Sequence, residues 1–294
     1  MALTDDAGFI GGAYFLQVAK RDANGYPKGT FADPDNVTAN TTSSALVIGG
    51  LDNFVPPVPT PEFATGKGGQ KILGNIALGN SSPGTATLTL ATFSETLNAL
   101  IKNATADVTS VSGWVMNPTN TSQVIFTHLF AIVTGKFMDT DNLTEYYMNY
   151  VFHNCQWMEA GGPNISQAAG TNPNPLTYTL MPSLSTRNVT GVVFSDSSGM
   201  SVVDGTDTWT KIRTTWPLAL TTWVANGAAT TFILGYRPVY STVTTGNTDN
   251  SFTINGVATA PTSCSTTTGV VTVAAAGTTG DIHIAAYQTK FVAI

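Results

Sequence analysis

GTATLTLATF, residues 84–93, alternates strictly enough to be read as a strand directly. Ala86, Leu88 and Leu90 fall on one face of an extended chain and Thr85, Thr87 and Thr89 on the other, the pattern of a half-buried strand. The period then changes. Ser94 is placed to cap a helix N-terminus, Glu95 complements its positive end, and Leu97, Leu100, Ile101 and Ala104 recur at i, i+3, i+4 and i+7. A strand followed by one short amphipathic helix is predicted.

Outward from this unit the signals are those of strands and turns. Val111–Met116 and Gln123–Val133 flank the turn Asn117-Pro118-Thr119-Asn120, and the second run is apolar enough for a central strand buried on both faces. Tyr146–Met158 and Leu176–Met181 read as further strands. Three Asn-Gly pairs, at 24–25, 226–227 and 255–256, accept the positive φ of a type I′ turn and predict antiparallel hairpins. Beyond Pro182 short strands follow at close spacing: Val189–Ser195, Thr208–Trp216, Phe252–Ile254, Val270–Ala274 and Ile282–Tyr287. Residues 245–280, almost all Thr, Ser, Gly, Ala and Asn, suggest a weakly packed accessory region.

Residues 31–69 break the pattern. Pro34, Pro56, Pro57, Pro59 and Pro61 remove ladder donors and fix φ, so the stretch is expected to be a loop or arm through which no compact sheet runs. Phe54, Val55, Val58 and Phe63 set apolar side chains among rigid prolines, which suits docking on a neighbour because little entropy is lost on binding.

Composition supports a β protein. The 294 residues include 48 Thr, 19 Ser, 21 Asn and 28 Gly, residues that favour the pleat and tight turns. Only 10% of residues are charged while 42% are hydrophobic, so solubility rests on neutral polar groups. A net charge of −6, with 12 Lys+Arg scattered singly, leaves no basic stripe to hold nucleic acid. Asp5 and Asp6 precede a weakly apolar start, the reverse of a secretory signal, and the charge-free run 214–236 contains Pro217, Asn226 and Gly227, unlike a membrane span. Eight Asn-x-Ser/Thr sequons, at Asn36, Asn40, Asn80, Asn103, Asn120, Asn142, Asn164 and Asn188, are largely what so much Asn, Ser and Thr would produce.

The sequence offers no catalytic residues, no cofactor site and no metal site. No Gly-x-Ser-x-Gly elbow is present, and His128, His153 and His283 lie in strand-like runs without an adjacent acid. His153 and Cys155, two residues apart, would share a strand face, but no second Cys/His pair accompanies them. Cys155 and Cys264 read as free thiols. Gly66-Lys67-Gly68-Gly69 lacks phosphate-loop spacing and reads as a flexible tip; Asp139, Asp141, Asn142 and Glu145 read as a solvated turn rather than a calcium loop. A polysaccharide-active enzyme would need a distinguished carboxylate pair, and none stands out.

The order of elements resembles that of bacteriophage tail tube proteins, the major tail proteins. The resemblance is carried by Phe15-Leu16-Gln17-Val18-Ala19 with Asn24-Gly25, the long arm, Thr85–Ala104 with Leu97-Asn98-Ala99-Leu100, the strands Phe126–Val133 and Tyr147–Gln156, and Pro175-Leu176-Thr177-Tyr178-Thr179. It covers roughly residues 10–190. It implies a mainly β protein: an antiparallel β-sandwich or barrel tube domain over 1–190 with a short flanking helix packed through Leu97, Leu100 and Ile101. Residues 191–294 would add an immunoglobulin-like β-sandwich module.

By the same resemblance, the chain is a non-enzymatic virion protein of the tail, assembled in the bacterial cytoplasm. It would polymerise with itself as stacked hexameric rings and meet the tape measure, the terminator and, in contractile tails, a sheath. Phe54, Val55, Pro56, Pro57, Val58, Pro59 and Phe63 would form the inter-subunit or inter-ring arm. Duplex DNA would pass without adhering: six copies at −6 each carry −36, a field that opposes phosphate contact where it faces inward. No residue is assigned to the lumen, and no membrane insertion is implied. The rival reading is a phage surface or receptor-binding protein of fibre or baseplate type, with Trp209, Trp216 and Trp223 as glycan contacts, against their ordinary role as core anchors.

Overall fold

The computed structural model describes residues 8–21, 27, 42–58, 60–68, 71–82, 84–91, 94–101, 105–106, 114–115, 128–139, 143–159, 176–182, 209–241, 250–254, 257–259 and 261–293. The strands in the first half are β1 (Gly8–Lys20), β2 (Thr42–Ser44), β3 (Leu46–Gly49), β4 (Leu51–Val55), β5 (Thr60–Gly68), β6 (Lys71–Ser82) and β7 (Ala86–Leu90), followed by α1 (Glu95–Ile101). Next come β8 (Thr105–Ala106), β9 (Trp114–Val115), β10 (His128–Asp139), β11 (Glu145–Glu159) and β12 (Leu176–Pro182). The rest are β13 (Thr210–Thr214), β14 (Leu218–Val224), β15 (Thr231–Ile233), β16 (Tyr236–Pro238), β17 (Asn250–Ile254), β18 (Val257–Ala258), β19 (Ser263–Cys264), β20 (Val270–Thr272) and β21 (Ile282–Ala293). The protein is mainly β, its described ladders are antiparallel, and no sheet closes into a barrel.

The first sheet runs β3-β1-β10-β11-β12-β7-β4, with β13 also paired to β11. β11 is long enough to serve two partners on one edge: Tyr147–Val151 pair with β13 and Cys155–Glu159 with β12. The two end strands, β3 and β4, are consecutive in the chain with Gly50 alone between them, so the sheet curls until its ends meet. Gly50 takes φ +74, a left-handed bend that glycine adopts without Cβ strain, and its carbonyl accepts from the Ala91 amide at 2.8 Å. The ladder stays open, but the chain joins its two edges.

Inside the curl lies the main core. The alternation of β7 appears as buried Ala86, Leu88 and Leu90, joined by Leu16, Val18, Leu129, Ala131, Val133, Phe152, Trp157, Tyr178 and Leu180. α1 closes it with Leu97, Leu100 and Ile101, and the Leu97 amide donates to Ser94 Oγ at 3.2 Å, the cap the sequence announced.

The second sheet runs β18-β17-β21-β14-β2, with β16 also on β21. One of its faces packs on the outside of the first sheet, where Ala19, Phe130, Ile132, Val151 and Ile212 meet Leu218, Leu220, Ile282, Ile284 and Ala286. Its other face packs under the small sheet β15-β20-β19, burying Trp223, Phe232, Phe252, Cys264, Val271, Val273 and Tyr287. Residues on either side of position 190 therefore share sheets and a core: β13 completes the first sheet, and β2 completes the second.

Four expectations are corrected. Strands β2 to β5 run through 31–69, because Pro56 and Pro57 fall between strands and Pro61 sits at a bulge of a two-stranded ribbon, where proline is tolerated. Asn226-Gly227 does not join a hairpin, since β15 pairs with β20; Asn226 Oδ1 instead accepts from the Ala228 and Ala229 amides at 3.0 and 2.9 Å. The 245–280 region is not weakly packed, for Phe252, Cys264, Val271 and Val273 are buried. His153 and Cys155 do not share a face, because β11 carries an extra residue where Leu129–Ala131 oppose Cys155–Phe152. By contrast, Ile254 pairs with Val257 across the two-residue Asn255-Gly256 connection, as its turn signal predicts. Asn24-Gly25 and Val189–Ser195 lie outside the described residues.

Candidate assembly interface

β4 leads from the core to the surface in four residues. Phe54 remains inside, its ring 5.0 Å from Tyr150 and 6.3 Å from Phe152, so it serves the packing of its own chain. Val55 is 49% exposed, Pro57 is buried, and Val58 is 71% exposed. Gly84 seats this corner: it has φ +79, and a Cβ there would fall inside contact distance of the Val58 carbonyl. Pro59 lies outside the described residues, and Phe63 lies in β5.

From that corner rises the β5–β6 ribbon. Its register runs from Thr60↔Ser82 at the foot to Gly68↔Lys71 at the tip, with bulges at Thr60/Pro61, Glu62/Phe63 and Gly66/Lys67. At roughly 3.3 Å per residue, nine residues of β5 reach about 30 Å. Among the described residues neither strand pairs with any third strand. The projecting element is thus displaced from the segment the sequence marked: it begins at residue 60 and ends at 82. The glycines at 66, 68, 74 and 79 hid β5 and β6 from a reading based on β-branched runs.

The other candidate residues fall into structural roles. Cys155 and Cys264 are free and buried. Cys155 donates to the Leu129 carbonyl at 3.2 Å and accepts from Trp157 Nε1 at 3.1 Å, and burial pushes its thiol up to about 12. Such a thiol is a poor nucleophile at neutral pH. His128 Nδ1 lies 2.9 Å from Asn154 Oδ1, and the His153 ring meets Phe130 at 5.9 Å. The acidic turn forms ion pairs: Lys136 with Glu145 at 2.7 Å, and Arg213 with Asp139 at 3.9 Å. Asp141 and Asn142 lie outside the described residues. No metal-holding group of three His, Cys, Asp or Glu occurs among the described residues, and no described helix is long and apolar enough to cross a membrane.

Of the three tryptophans, Trp223 is fully buried against Phe232, with centroids 4.4 Å apart. Trp209 packs on the main core beside Tyr150 and Phe152, and Lys290 Nζ lies 4.3 Å over the Trp216 ring. A glycan face built on all three is excluded. No family model matches the chain, and no curated protein matches it.

Proposed function

We propose that this chain is a structural virion protein that polymerises as stacked hexameric rings into a tail tube, an acidic conduit for DNA delivery. The observation that carries the reading is the β5–β6 ribbon. An isolated two-stranded hairpin is marginal in water, and both outer edges of this one present backbone groups that no described strand takes up. A ribbon of this length is stabilised by laying itself on a neighbouring copy, and the exposed valines at its foot extend the same contact. A curled sheet whose two end strands, β3 and β4, are joined through Gly50 suits a subunit that must pair only where the ribbon directs it. The receptor-binding alternative has lost Trp223 and gains no observation in exchange.

The test is negative-stain electron microscopy of the purified chain beside a variant in which residues 60–82 are replaced by a short Gly-Ser link. The full chain is expected to form hollow tubes or six-fold rings, and the variant folded monomers. Discrete trimers or monomers from the full chain would overturn the tube reading, and normal tubes from the variant would overturn the role of the ribbon.

A further inference from the structure

His283 projects from β21 into the layer between the second sheet and the small sheet, and it is fully buried. Its walls are aromatic: Phe232 at 4.9 Å from β15, Trp223 at 5.5 Å from β14 and Phe252 at 5.9 Å from β17. Neither ring nitrogen has a hydrogen-bond partner. On its remaining side the ring is crowded by backbone, for a Cβ on Gly277 would come within 2.7 Å of Nε2 and 3.1 Å of Asp281 Oδ2.

A ring so placed is held in its neutral form, because an imidazolium needs donors satisfied and charge solvated, and this box offers neither. The charged group facing it is Asp281, whose carboxylate accepts from the Thr278 amide at 2.7 Å. The other titratable groups described in this layer are Cys264 on β19, Tyr287 on β21 and, at its margin, Tyr236 on β16. Burial raises all three, Cys264 to about 11 and Tyr287 to about 12, so they stay neutral on the acid side of neutrality. From β14, β15 and β17 the ring meets the aromatic side chains of Trp223, Phe232 and Phe252.

We propose that His283 is an acid-sensitive latch: protonation drives its ring out of the aromatic box and parts the small sheet from the second sheet, while the main core stays closed. Burial holds the imidazole down at about 4, with Asp281 pulling weakly the other way. The sign follows. A histidine depressed in the folded state adds stability that is complete above about 6.5, its unfolded value, and that is lost as pH falls toward 4. Cys264 lies in the layer that opens and Cys155 in the core that does not, so the molecule carries its own reporter and its own control.

The experiment labels the intact chain with a pyridyl disulfide, which reads thiols in acid, from pH 7.5 to 4.0, and resolves the two cysteines by peptide mass spectrometry. Cys264 labelling is expected to accelerate at least tenfold across this range while Cys155 stays protected. His283→Leu or His283→Phe should abolish the acceleration, and Asp281→Asn should move it to lower pH. Equal acceleration in the His283 variants, simultaneous exposure of both thiols, or no acceleration in the natural chain would each overturn the latch. Where neither His283 variant folds, the ring nitrogen shifts of His283 in the natural chain decide: a protonation midpoint that coincides with Cys264 exposure supports the latch, and one that does not coincide removes it.

Discussion

The side chain of Gln17 is bonded to Leu220 as a neighbouring strand would be. Its Oε1 accepts from the Leu220 amide at 3.2 Å and its Nε2 donates to the Leu218 carbonyl, the two bonds a peptide group would make beside β14. β2 covers β14 only at Thr221–Trp223, so a single carboxamide from the first sheet continues the ladder of the second. Gln17 is 1% exposed.

Gln17→Ala leaves a buried N–H and a buried C=O without partners, at about 1–3 kcal/mol each. Urea denaturation is expected to show a loss of about 2–5 kcal/mol with an unchanged slope. A loss below 1 kcal/mol would mean that water replaces the carboxamide. Gln17→Leu, which keeps the volume but offers no polar atoms, should be no better than Ala.

Gly84→Ala strikes at the corner beneath the ribbon. The added Cβ meets the Val58 backbone, which cannot swing aside as a side chain tip would, and the positive φ adds strain of about 1 kcal/mol. The variant is expected to fold with a lowered melting temperature and to lose assembly beyond what its stability loss accounts for. Unchanged melting would show that the corner relaxes freely.

Removal of residues 191–294 takes away β13 and the whole second sheet apart from β2, and uncovers Phe130, Ile132 and Val151. The remaining chain is expected to aggregate or to bind a hydrophobic dye strongly. A soluble, cooperatively melting fragment would show that the first sheet stands alone.

Acid acts also through His153, which burial, helped by the charge of Arg21, holds at about 4. The stability it contributes is full above about 6.5 and declines as pH falls toward 4, by roughly 3 kcal/mol in all. Melting temperatures measured from pH 7.5 to 4.5 should fall, and His153→Gln should flatten part of that fall. An identical profile in the variant would assign acid lability elsewhere.

What was legible in the sequence was local. The alternation of Ala86, Leu88 and Leu90 and the cap at Ser94 each depend on residues within one or two turns, and both appear as read. The choice of strand partners was not legible. Asn226-Gly227 has the turn chemistry of a hairpin and also of an Asx turn, and only the presence of β20, some 40 residues on, decides between them. The prolines marked the neighbourhood of the projecting element but not its extent, because Pro56 and Pro57 end one strand and precede another. The extra residue of β11 that separates His153 from Cys155 leaves no trace in composition or period.

Residues 42–55 pair in succession with β14, β1 and β7. On the ribosome this imposes a schedule. β2, made early, waits for a strand near position 220 before its ladder can form, and the closure of the long loop between them is a slow step. Newly made chains therefore pass through a period in which both sheets are incomplete and the ribbon has no finished body beneath it. Completion of the second sheet acts as a clock, so a finished body exists beneath the ribbon only when synthesis is nearly done.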